Sequence, residues 1–139
     1  MSDIYVQTTR DYRRAIDYLA TRPEIDNTRV GVLGYSMGGT QTFLLTGVEP
    51  RVKAAVAVAA PAERSKFSLV APQNFLHSIG DRPFLTIIGT HDELCSVEHA
   101  RGLQALFEAK SKDQVLLDAG HKLPVKYGPH AVDWLRKYL

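Results

Sequence analysis

Ser36 lies in Gly34-Tyr35-Ser36-Met37-Gly38, a G-x-S-x-G pattern set between the apolar run Val30-Gly31-Val32-Leu33 and a helix-compatible stretch. A strand before and a helix after are the context in which such a pattern lifts a serine hydroxyl onto a sharp turn, exposed for attack on an acyl carbon. Glycines at 34 and 38 add no bulk around that hydroxyl. The backbone N–H of Met37 then points where an oxyanion would form. Three fixed positions in five make a short signal, and glycines beside a serine also serve close packing in such a turn. The flanking elements favour the chemical role.

A serine hydroxyl needs a base to take its proton and a group to orient that base. In open parallel sheets, ligands sit outside the carboxyl ends of the strands, so the partners are expected in loops that follow other strands. Asp92 follows the apolar segment 84–88 in Gly89-Thr90-His91-Asp92-Glu93-Leu94, and His121 follows the segment 115–117 in Asp118-Ala119-Gly120-His121. His121 would accept the Ser36 proton and return it to the leaving group. Asp92 would orient His121 and stabilise the imidazolium. Simpler roles are open to each: Asp92 as a turn or capping carboxylate, His121 as a solvated loop residue. Their joint placement after strands argues for the chemical pair.

The other candidates are weaker. Glu93 rivals Asp92 but is also well placed to open the next segment or face water. His91 should project differently from its neighbour Asp92, and His77, His99 and His130 read as structural or solvated. Cys95, the single cysteine, reads as a small buried residue, since no second elbow presents it. No His/Cys/carboxylate group has metal-ligand spacing, and neither G-x-G-x-x-G nor a Walker loop occurs, so neither metal nor cofactor is expected.

The elements that must position these residues are legible as an alternation. Tyr12, Ala15, Ile16, Leu19 and Ala20 recur at helical spacing, with Arg13, Arg14 and Asp17 opposite, and Pro23 beyond them. This helix is expected to cover a sheet face. Short apolar runs at 30–33, 52–59, 84–88 and 115–117 lack a clean period of two, as strands covered on both faces do. Helices are expected at 37–46, stopped by Gly47, at 97–109 after Ser96, and at 131–138. The pattern predicts an α/β domain of about four parallel strands with helices on both faces. Between Pro61 and Pro83 a long segment carries Phe67, Leu69, Val70, Phe75, Leu76 and Ile79, which predicts a packed segment. It either borders a pocket or forms a loop with one helical turn around Phe75, Leu76 and Ile79.

Composition narrows the function. The 139 residues, 45% of them hydrophobic, suffice for one compact domain, 1–139. A net charge of +2, with Arg10, Arg13 and Arg14 interleaved with Asp11 and Asp17, gives nucleic-acid binding little support. One cysteine excludes an intrachain disulfide. Residues 1–10 lack the apolar core of a signal peptide and no segment approaches a membrane span, so a cytoplasmic protein without membrane contact is expected.

These segments together resemble the α/β-hydrolase superfamily, in its dienelactone hydrolase-like and small carboxylesterase branch. The resemblance rests on Asp17-Tyr18-Leu19, Pro23-Glu24-Ile25-Asp26, the elbow with Gly39, Arg51-Val52-Lys53-Ala54-Ala55-Val56, Gly89-Thr90-His91-Asp92 and Gly120-His121. The order Ser, Asp, His is that of the superfamily. The resemblance implies a minimal α/β-hydrolase-like core and hydrolysis of small or short-acyl esters through an acyl-Ser36 intermediate. Dienelactone hydrolases use a cysteine nucleophile; Ser36 at that position favours simple ester hydrolysis. A peptidase or thioesterase is an alternative, as is a non-catalytic interaction module.

The departure lies at the front, where family members carry several strands before the first helix found here. A loop among those strands normally gives a second oxyanion N–H, leaving only Met37 assigned. Losing one such donor can cost about a hundred- to thousandfold in turnover, so slow activity is expected. The strand with Val30 and Leu33 is expected at an open edge, where the chain could self-associate or meet a partner polypeptide.

Overall fold

Two largely apolar runs form the middle of a four-stranded parallel sheet. The structure, a computed structural model, describes residues 2–61 and 68–139. Strand β2 (Val52–Val58) is buried apart from Lys53, and β3 (Phe84–Gly89) is buried throughout. They are flanked by β1 (Val30–Tyr35) and β4 (Lys112–Leu117), giving the order β1-β2-β3-β4. The outer strands depart from the expected two-sided burial. Gly31 and Leu33 on β1, and Asp113 and Leu116 on β4, are exposed, and each of these strands has a neighbour on one side only.

Successive residues of β2 point to opposite faces and enter different cores. Ala55 and Ala57 pack with Phe43 and Leu44 of α2 (Met37–Val48), Leu76 and Ile79 of α3 (Leu76–Ile79), and Leu103 of α4 (Val97–Leu106). Phe43, Phe84 and Phe107 stack within this layer, with ring centroids 4.6 to 6.0 Å apart. Val56 and Val58 face the other way, toward Leu123 and Ala131, the latter on α5 (Tyr127–Tyr138). Helices therefore cover both faces of an α/β fold.

The N-terminal helix α1 (Ser2–Ala20) is longer than its apolar pattern predicts, and it covers less of the sheet than expected. It lies mainly against α2 and reaches the sheet through Ile16. Only Tyr5 and Ile16 are buried; Ile16 packs with Leu45, Val52, Val30 and Val32, while Tyr12 and Leu19 stay exposed.

Helix α2 runs through Gly47 and ends at Val48, so Gly47 does not stop it. A Cβ on Gly47 would lie 2.8 Å from the Phe75 Cβ, which makes the glycine a packing requirement. The stop comes from Pro50, which disfavours helical backbone at Glu49; Glu49 is extended at φ −119° and ψ 100°. The Glu49 carboxylate accepts bonds from the Arg51 backbone and side chain and from Arg13 Nε, and Arg82 donates to the Glu49 carbonyl. This cluster ties α1, the end of α2 and the start of β2 together.

Of the long segment before β3, residues 62–67, including Phe67, lie outside the described residues. Much of the remainder is packed: Val70, Ala71, Leu76 and Ile79 are buried, although Leu69 is exposed, and this described part contains a 3₁₀ turn, Pro72–Asn74, and α3. Helix α4 stops at Leu106, short of 109, and α5 begins at Tyr127, before 131. Pro129 is accommodated in the first turn of α5, where its missing N–H breaks no helical bond.

Strand register fixes where the loops emerge. Tyr35 pairs with Val58, Val58 with Ile87 and Gly89 with Leu117, so the carboxyl ends of the strands lie level. The residues that follow β1, β3 and β4 consequently project from one edge of the sheet.

Candidate active site

Ser36 occupies the turn between β1 and α2 at φ 55° and ψ −117°, a backbone conformation unusual for a residue with a side chain. Such strain costs on the order of 1–3 kcal/mol and persists only where surrounding structure imposes it. Here the Ser36 N–H donates to the Val58 carbonyl at 2.8 Å and the Ser36 carbonyl accepts from the Thr40 N–H at 3.2 Å. Gly34 is the glycine this turn requires, since a Cβ there would lie 2.0 Å from the Gly38 carbonyl oxygen. Gly38 has no such constraint: a Cβ at that position meets nothing within 4 Å. Gly39 takes the second close approach: a Cβ there would lie 2.7 Å from the Val58 carbonyl oxygen.

The structure brings Ser36, His121 and Asp92 into one hydrogen-bonded chain. Ser36 Oγ lies 2.8 Å from His121 Nε2, and His121 Nδ1 lies 3.1 and 3.0 Å from the two Asp92 carboxylate oxygens. Asp92 Oδ1 also accepts the backbone N–H groups of Leu94 at 2.8 Å and Cys95 at 3.0 Å. The Asp92 side chain has no solvent exposure, whereas that of His121 retains 28%. The carboxylate is thus held by backbone donors while the imidazole reaches the surface beside the serine. With Nδ1–H bonded to the carboxylate, Nε2 is the free lone pair facing Oγ, an arrangement able to remove the hydroxyl proton.

Met37 is the first residue of α2, with its side chain 54% exposed. Its N–H belongs to the first helical turn, which has no acceptor within the helix, and the helix dipole favours negative charge there. The other sequence candidates lie elsewhere. Glu93 is exposed, and His91 turns away to Asp118 at 3.0 Å. His77 faces Glu108 at 3.5 Å, His130 is an exposed residue of α5, and burial lowers the pKa of His99 on α4. Cys95 is 3% exposed, and its thiol is pushed up to about 12 by burial and then by the Asp92 charge. It behaves as an inert core residue. Among the described residues no group of three His, Cys, Asp or Glu side chains could hold a metal ion, and no helix is long and apolar enough to cross a membrane.

Two supporting features were not read from the sequence. Gly89 allows the Asp92 and His121 loops to touch, and the Tyr35 hydroxyl bonds the His121 carbonyl and the Leu123 N–H, each at 2.7 Å. Gly89 carried a signal as the strand-ending glycine before Asp92. Tyr35 fills a free position of the elbow pattern and carried none.

The family pattern of the Dienelactone hydrolase family matches residues 2–122, which spans all three of these side chains. The chain belongs to the dienelactone hydrolase family. Within and around this family, it is 30% identical over 111 residues to the thiohydrolase apmlB of Arthrinium phaeospermum, covering 70% of this chain and 36% of the relative. It is 42% identical over 57 residues to the acetyl esterase Axe7A of Xylanibacter ruminicola, covering 41% of this chain and 12% of the relative. The acetyl xylan esterase of Paenibacillus sp. R4 superposes with a TM-score of 0.84 at 21% identity, over 97% of this chain and 53% of that one. The superposition shows the shared fold. This dienelactone hydrolase family chain therefore spans about half the length of the solved relative and 36% of the thiohydrolase.

Proposed function

We propose that the protein is a cofactor-independent serine esterase acting on small or short-acyl carboxylic esters. The observation that carries this reading is the continuous chain from Ser36 Oγ through His121 to Asp92, with contacts of 2.8 to 3.1 Å. In the first step Ser36 Oγ attacks the ester carbonyl while His121 Nε2 takes its proton, and the carbonyl oxygen becomes an oxyanion beside the Met37 N–H. Collapse expels the alcohol, which receives the proton from His121 and leaves an acyl-Ser36 ester. Water then attacks that ester with His121 again as base, releasing the acid and restoring Ser36. Asp92 holds the Nδ1–H tautomer and offsets the imidazolium charge in both steps.

Family membership and the esterase named among its relatives support this reaction class. The thiohydrolase relative supports a second substrate, a thioester, for which the same acyl-Ser36 intermediate serves. A fluorophosphonate probe tests the nucleophile directly. Covalent labelling mapped to the Ser36 peptide and abolished in Ser36→Ala is the expected result; labelling that persists in the variant would overturn the assignment.

A further inference from the structure

The second position of the elbow pattern, which the serine chemistry leaves free, carries a side chain that reaches the histidine loop. Tyr35 is the last residue of β1 and the immediate neighbour of Ser36. Its ring packs with the core on the α5 side, 5.6 Å from the Tyr127 ring and edge-on to the His121 imidazole at 6.2 Å. Its hydroxyl donates to the His121 carbonyl and accepts from the Leu123 N–H, both at 2.7 Å. One O–H donor and one lone pair are thereby used on two points of a single loop. Residues 118–126 form no helix or strand. Among the described residues, the hydrogen bonds that reach the backbone of His121, Lys122 and Leu123 both come from this hydroxyl.

We infer that Tyr35 is a positioning residue for the reaction: its hydroxyl pins the His121 loop to the strand that carries Ser36. The 2.8 Å spacing between Ser36 Oγ and His121 Nε2 is then set from two adjacent residues of one strand end. Ser36 supplies the nucleophile at the turn, and Tyr35 supplies the anchor for its base. Leu123, buried at 8% exposure beyond the anchor, fixes the far side of the loop in the core. Loss of the hydroxyl leaves the ring packing in place but frees the His121 carbonyl and the Leu123 N–H, so the imidazole samples geometries that no longer meet Oγ. Misplacement of about 1 Å can cost on the order of a hundredfold in rate.

The inference rests on the serine esterase reading for its kinetic part, and amide hydrogen exchange tests the anchor without turnover. In the wild type the Leu123 amide should exchange slowly for a loop residue, and in Tyr35→Phe its exchange should accelerate at least about tenfold. On p-nitrophenyl acetate, Tyr35→Phe should lower kcat by about ten- to a hundredfold with KM within about twofold, while Tyr127→Phe keeps wild-type kcat. The low-field Nδ1–H proton resonance of His121 should broaden in Tyr35→Phe as water reaches a loosened imidazole. A Leu123 amide that is unprotected in the wild type would overturn the inference without any variant. So would a Tyr35→Phe protein that is folded by circular dichroism and retains wild-type kcat and the His121 resonance. Absence of Ser36-dependent turnover in the wild type would instead remove the esterase reading, and the exchange result would still decide whether Tyr35 anchors the loop.

Discussion

The backbones at Gly89 and Ala119 meet so closely that a Cβ on Gly89 would lie 2.3 Å from the Ala119 carbonyl oxygen, with the Gly120 oxygen at 2.4 Å. Two further bonds close the same seam: Thr90 N–H to the Leu117 carbonyl at 2.8 Å and His91 N–H to the Ala119 carbonyl at 2.9 Å. The loop that delivers Asp92 is therefore zipped onto the loop that delivers His121.

Gly89→Ala should force these loops apart. The obstacle is backbone and not the end of a flexible side chain, so a shift of the loops is the only relief. Overpacking of this kind costs about 1–3 kcal/mol, and the displaced Asp92–His121 pair should lower kcat on p-nitrophenyl acetate by at least about tenfold. Urea unfolding and steady-state kinetics on the same preparation check both effects. Gly38→Ala, at the elbow position with open space, should leave stability within about 0.5 kcal/mol of wild type.

Asp92→Asn separates orientation from packing. The amide oxygen can still accept the Leu94 and Cys95 N–H groups, but its NH₂ cannot accept from His121 Nδ1–H. The imidazole then favours the wrong tautomer. A fall in kcat of about 10⁴-fold with a retained fold is expected, because the wrong tautomer leaves no lone pair on Nε2 to accept the serine proton. Kinetics beside thermal unfolding would show it; a fall below tenfold would remove Asp92 from its orienting role.

Legibility followed burial. The central strands β2 and β3 were readable because their residues are apolar on both faces, whereas β4 begins with Lys112, Asp113 and Gln114, whose polarity suits an outer strand and hides its start. Helix α1 was readable only from Tyr12 onward, since its first turns carry mixed side chains of which Tyr5 alone is buried. The end of α2 was misread at Gly47 because a glycine signals a stop as readily as a close contact, here with Phe75. At the site, residue type and loop position pointed to Ser36, Asp92 and His121, which the fold brings within hydrogen-bond distance. The groups that position them were less visible. The Leu94 and Cys95 N–H donors are backbone, and the Tyr35 hydroxyl acts across 86 residues of sequence.

Glu49 should make stability pH-dependent. Its carboxyl is held down to about 2 from the usual 4.5, chiefly by the Arg51 side chain, with the Arg51 backbone N–H and Arg13 adding to the effect against the cost of burial. A depressed pKa means that the folded state favours the ionised form. The contribution is complete above pH 4.5 and disappears as pH falls through about 2. It is worth at most about 3 kcal/mol, because Arg13 is half-exposed and screened. The stability gap between wild type and Glu49→Gln, measured by urea unfolding, should therefore stay constant from neutral pH down to about 4.5 and narrow between there and pH 2. A gap that does not change with pH would exclude the ionised carboxylate as its source.

The proposed role of Ser36 as the nucleophile of an ester hydrolase is tested most directly by the rate of p-nitrophenyl acetate hydrolysis by wild type beside an equally folded Ser36→Ala variant. Wild-type turnover above the buffer rate is expected, slow if Met37 N–H is the principal oxyanion donor, with turnover at the buffer rate in the variant. Equal rates in the two proteins would contradict that role.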